Sequence, residues 1–134
     1  MSDAELPIFQ LLGAEALSRI VAGFYRRVPQ DPILGPMYPP HDLAGAEHRL
    51  RTFLIYRFGG PPDYLRERGH PRLRMRHVAW QVGERERDAW LSHMLPAVAR
   101  LEIPEEARMA IWDHLERAAH SLVNHPPQDD SLLR

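Results

Sequence analysis

Apolar residues recur at intervals of three and four over most of this chain, which is the spacing of one helix face. The first such stripe joins Leu17, Ile20, Val21, Phe24 and Val28, and predicts a helix from Ala14 to Val28. Pro29 and the prolines at 32, 36, 39 and 40 stop it and leave an irregular corner. A second helix is expected after Asp42, a suitable N-cap, with Leu43, Ala46, Leu50, Phe53 and Leu54 aligned. The run "GGPP" at 59 to 62 ends it.

A third helix opens at the acidic turn around Glu84 and Glu86, which suits the helix dipole. It points Trp90, Leu91, Met94, Leu95 and Val98 inward, and Pro96 should kink it or remove one hydrogen bond. The fourth begins at Pro104, with Glu105 and Glu106 in its first turn and Ile111, Leu115, Ala118 and Leu122 as its stripe. No alternating strand pattern appears, so the expected class is all-α. Between Gly59 and Gly83 there is room for one short helix starting near Pro71. A loose stretch of that length inside a compact domain is often functional.

Composition narrows the picture. At 134 residues and 44% apolar, the chain can fill one core; a domain over 1–125 and a flexible tail over 126–134 are expected. The formal charge of −1 argues against a general nucleic-acid binder. Without cysteine there are no disulfides, thiolate ligands or cysteine nucleophile. All 17 basic residues are arginine, which excludes lysine Schiff-base and phosphate-loop chemistry. The start, "MSDAELPIFQ", does not read as a signal peptide, and no apolar run would cross a bilayer. A soluble cytoplasmic protein, monomer or homodimer, is the expectation.

The candidate chemistry gathers in "GHPRLRMRH" at 69 to 77. Eight histidines are many for this length, yet none shows the His-x-x-x-His spacing of a helical zinc site. His41 and His48 are seven apart, as are His70 and His77, two helical turns and too far to share a small ion. Ser18, Ser92 and Ser121 lie inside predicted helices with no nucleophile-elbow pattern around them. A metal that needs only one protein ligand fits better. Haem brings four nitrogens of its own, and its propionates prefer arginine forks. Leu73 and His77 would share one face of a short helix while Arg74 and Arg76 point elsewhere. A solvated basic loop carrying a surface histidine accounts for the same residues, and composition alone leaves both readings open.

Residue identity goes further. "FYRRV" at 24 to 28, "DLAGAEHRLRTFL" at 42 to 54, "GGPPDY" at 59 to 64, "GHPRLRMRH" at 69 to 77 and "ERDAWL" at 86 to 91 occur in order, and "AAHSLVN" at 118 to 124 extends the series. Together they resemble a truncated haemoglobin of group II. The resemblance implies a two-over-two helical sandwich around haem b. It implies His77 as the proximal iron ligand, with Tyr25, Tyr38 and Trp90 around the bound gas on the distal side. Ala46 matches a position that gates that side. Arg49, Tyr64 and Arg76 match positions near the propionates, and Leu50, Phe53, Leu73 and Trp80 complete the cofactor contacts. The implied ligands are oxygen, carbon monoxide and nitric oxide. An alternative is a redox enzyme acting on nitric oxide or peroxide, which would need an external reductase. Trp80, where the family more often has phenylalanine, and Pro96 are departures from the pattern.

From the residues alone, Tyr25 and Trp90 could be ordinary core aromatics and Tyr38 a surface ring. His70 reads as a turn cap, and His93, His114 and His120 as surface or satisfied histidines, while His48 could reach the haem edge. A strip from Arg66 to Arg76 could instead face an anionic partner.

Overall fold

The computed structural model describes residues 8–125. The predicted tail at 126–134 lies outside the described residues.

Helix α1, Ile8–Arg27, carries the predicted stripe, with Leu17, Ile20, Val21 and Phe24 fully buried. It starts earlier than the periodicity suggests. Gly13 sits at φ 77, ψ 174, a conformation other residues avoid, and joins a leading turn to the helix expected from Ala14. That turn stays because Ile8 is buried and the Phe9 amide donates to the Phe58 carbonyl at 3.0 Å. At the other end Pro29 forces the change into a tight 3₁₀ turn, Val28–Gln30; a second, Gly35–Met37, follows in the proline corner.

Helix α2 spans Leu43–Arg57. Asp42 occupies its N-cap position but makes no capping hydrogen bond; its carboxylate takes Arg49 at 3.3 Å instead. The loose stretch holds two short helices rather than one, α3 at Asp63–Arg68 and α4 at Leu73–Arg76. Gly69 at φ 77 and Pro71 separate them.

Helix α5, Glu84–Ala99, begins with the Glu86 carboxylate accepting the Gly83 amide at 2.8 Å, as its acidic first turn predicts. It runs on through Pro96, and the ladder resumes with the Arg100 amide on the Pro96 carbonyl at 3.1 Å. Its inward face differs from the predicted one. Ala89, Met94, Ala97 and Val98 are buried, while Leu95 is exposed, because neighbours in a helix differ by about 100° in direction. Helix α6 is Glu105–Ser121, with Ala107, Ile111, Leu115 and Ala119 buried.

Helix α1 packs on both α2 and α5, and α6 packs on α5. The four long helices form the two-over-two sandwich, and the described residues contain no strand. Phe24, Leu54, Met94, Ile111 and Leu115 meet at its centre. Full burial of each such side chain contributes about 1.5–3 kcal/mol. Gly23 sets the approach of α1 to α5, since a Cβ there would stand 3.3 Å from that of Ala97. The crossing holds the end of α1 and the middle of α5, around Trp90 and His93, beside the proline corner.

Candidate functional site

Three elements deliver aromatic rings to one place. Phe24 is the buried hub, with ring centroids 5.3 Å from Tyr25, 6.3 Å from Tyr38 and 5.4 Å from Trp90. Tyr25 and Tyr38 meet edge to face at 5.7 Å. Tyr25 comes from α1, Tyr38 from the end of the second 3₁₀ turn and Trp90 from α5. Asp31 holds the corner in place. Its Oδ1 accepts the amides of Ile33 at 2.7 Å and Leu34 at 2.8 Å, and its Oδ2 accepts His93 Nε2–H from α5 at 2.6 Å.

Burial governs the hydroxyls of this cluster. It pushes Tyr38 up to about 12, opposed by a hydrogen bond from the Trp90 indole. Burial raises Tyr25 further still, helped by the nearby Tyr38 and opposed by Arg49. Both tyrosines therefore keep their protons across the physiological range and can donate hydrogen bonds.

His77 caps the C-terminus of α4. Its Nδ1–H donates to the Leu73 carbonyl one turn back at 2.7 Å. A proton held on Nδ1 leaves Nε2 as the lone-pair nitrogen, the state a metal ligand requires. Trp80 lies nearby, its ring 6.1 Å from the imidazole. Met75, Val78 and Trp80 are all exposed, so the segment around His77 presents apolar surface with little protein over it.

The remaining candidates divide. Ala46 is buried on α2, Leu50 and Leu73 pack on the core from the side, and Phe53 stacks edge to face on buried Tyr64 at 5.4 Å. Phe53 and Leu73 border a cavity of about 470 Å³ between α2, α4 and α6, shared with Pro71 and His114. Arg49 is half-buried with one amino group on Asp42. Arg76 is largely committed: its guanidinium donates to the carbonyls of Pro71 at 2.6 Å, Arg68 at 2.6 Å and His70 at 3.2 Å. His48 is taken up by Glu67 at 2.8 Å and Arg51 at 2.9 Å.

Three features escape the sequence reading. His93 is one of the satisfied histidines expected, but its partner, Asp31, stands 62 positions away. His114 lies between Phe53 and Phe58 with a buried Nε2 that has no partner, and burial, then Arg57 and Arg117, pushes it down to about 4. Asn124 bonds to the segment after His77. Only the neighbouring apolar stripe hinted at the second, and nothing local signals the other two.

Among the described residues no group of three or more histidines or carboxylates could enclose a metal ion. A lone histidine with a free Nε2 beside apolar surface matches instead the donor set of a cofactor that supplies its own nitrogens. Residues 7–124 match the family model described as bacterial-like globin. The group 2 truncated hemoglobin YjbI of Bacillus subtilis (strain 168) is 37% identical over 122 residues, covering 91% of this chain and 92% of that one. The chain belongs to the bacterial-like globins, in their group II truncated haemoglobin branch. Solved structures of such globins superpose closely. A thermostable hemoglobin from the actinobacterium Thermobifida fusca is 45% identical, with TM-score 0.84, over 95% of this chain and 100% of that one. A truncated oxygen-avid haemoglobin from Bacillus subtilis is 38% identical, with TM-score 0.81, over 87% of this chain and 98% of that one. Membership of this globin family implies a haem cofactor and a diatomic gas as its ligand. No helix among the described residues is long and apolar enough to cross a membrane.

Proposed function

We propose that this globin holds haem b through His77 and retains oxygen or another diatomic gas against Tyr25, Tyr38 and Trp90. The observation that carries the reading is the 2.7 Å hydrogen bond from His77 Nδ1 to the Leu73 carbonyl, which reserves Nε2 for a metal. Bound ferrous haem supplies one open coordination position for the gas.

The chain's own residues do the rest. Leu50, Phe53, Leu73 and Trp80 offer apolar contact to a flat macrocycle. Arg49 and Tyr64 would face its propionates, and Arg76 would share that task with its hold on the 68–71 turn. Ala46, small and without a donor, leaves the distal side open to entry. Tyr25 and Tyr38, protonated and partly desolvated, and the Trp90 indole would donate hydrogen bonds to a polar ligand.

The visible spectrum of the full chain loaded with haem tests this. Wild type should give a five-coordinate ferrous spectrum, and His77→Gly should lose haem or need added imidazole to recover it. A normal ferrous spectrum in His77→Gly, or a wild type that takes up no haem, overturns the reading.

A further inference from the structure

Helix α4 is only Leu73–Arg76, too short to be stable alone, and His77 stands at its frayed end. Residues 78–81 bury little: Val78 is 74% exposed and Trp80 is exposed, so packing fixes this backbone only further on, at buried Val82. Something else must fix the backbone from which the imidazole hangs. Asn124, beyond the end of α6 at Ser121, is that fixture.

Its side-chain amide is used in full. Nδ2 donates to the His77 carbonyl at 3.2 Å and to the Trp80 carbonyl at 2.9 Å. Oδ1 accepts the Val82 amide at 2.8 Å and faces His125 Nδ1 at the same distance. The Asn124 backbone amide donates to the Val82 carbonyl at 2.8 Å, closing a ring with the side chain. Only one amide orientation satisfies this set, because a flip would aim oxygen at two carbonyls. His77 is thus held twice, at its ring by Leu73 within α4 and at its carbonyl by a residue 47 positions away.

We propose that Asn124 is a positioning residue for the ligand histidine, setting the direction of His77 Nε2 through the carbonyls of His77 and Trp80. The inference rests on the reading of His77 as the haem ligand. It distinguishes the two halves of the amide. The donor half addresses His77 and Trp80; the acceptor half serves Val82 and His125.

The test is the iron–histidine stretching band of the ferrous, gas-free full chain by resonance Raman, with haem transfer to an apo-globin acceptor as a second readout. Asn124→Asp keeps size and the acceptor but turns an oxygen toward two carbonyls; Asn124→Ser is the fallback should it fold poorly. Both should shift or broaden the band and speed haem transfer roughly tenfold, the worth of a hydrogen bond or two. Asn124→Ala should behave alike. A band and transfer rate equal to wild type in all three variants overturns the proposal. So does a fall in melting temperature with the band unmoved, since Asn124 would then serve only the fold. Failure of the underlying reading looks different: wild type would lack the band, or His77→Gly would keep it.

Discussion

Asp31 and His93, 62 positions apart in the chain, share a hydrogen bond of 2.6 Å that ties the proline corner to α5. The bond fixes more than two side chains. Tyr38 belongs to the corner and Trp90 lies one turn before His93, so the same link sets where these two aromatics stand.

Removing Asp31 should therefore unsettle both the fold and the site. Asp31→Ala leaves the Ile33 and Leu34 amides and the His93 ring without an acceptor, at a cost of roughly 2–4 kcal/mol. The His93 hydrogen bond first, and the Leu34 amide next, hold the Asp31 carboxyl below its ordinary value of 3.8. A depressed carboxyl contributes stability above its unfolded value, and that share is lost as pH falls from 3.8 toward the folded value. Urea unfolding from pH 7 to 3 should show a steeper acid loss in wild type than in Asp31→Asn. Equal slopes would remove the carboxylate from the account.

The hydrogen-bond donors proposed to hold the gas can be separated from the shape of their cluster. Tyr25→Phe and Trp90→Phe keep a ring in place while deleting one donor each. Stopped-flow oxygen release should quicken roughly 10- to 100-fold in either, at about 1.5–3 kcal/mol per strong hydrogen bond. Carbon monoxide, less polar when bound, should respond less. Because Tyr25, Tyr38 and Trp90 all touch Phe24, the double variant should fall short of the product of the singles. Unchanged release in both single variants would reduce the cluster to packing.

His114 predicts a separate pH effect. The unfolded chain takes up its proton near the ordinary 6.5, whereas the folded one resists down to about 4. Between those values the unfolded state binds more protons, so stability falls as pH drops across that window. His114→Phe, among the aromatic rings of Phe53 and Phe58, should flatten the urea midpoint between pH 6.5 and 4.5. Asp31 acts lower, so the two contributions separate on one titration. A variant that loses as much as wild type over that range would place the proton elsewhere.

What the sequence could reveal follows from how far each interaction reaches. Stripes at three and four report contacts within a helix, and they locate all four long helices and the burial of Phe24. Leu95 is exposed although it fits the pattern, because an apolar residue one step off the stripe looks the same as one upon it. The short helix expected near Pro71 is α4, whereas the six residues of α3 are too few to show a period, and Gly69 breaks the two apart. Tyr25, Tyr38 and Trp90 were placed as one group by resemblance alone, and their convergence depends on a crossing at Gly23 that no local pattern encodes. Arg76 shows the opposite case: its charge suggested an external anion, while most of its donors are used on the chain's own carbonyls. The Asp31–His93 and Asn124 contacts join residues 42 to 62 positions apart, where a single sequence carries no signal.

The bonds of Asn124 also give the site a history. A chain grows from its N-terminus, so His77 leaves the ribosome well ahead of the residue that secures its carbonyl. At about 5–20 residues per second the 47 intervening positions take roughly 2 to 10 seconds to synthesise. During that interval the histidine is present but its backbone is unanchored, and α6 has yet to dock. On the proposed role of Asn124, the cofactor could settle into its final geometry only after this asparagine has been made.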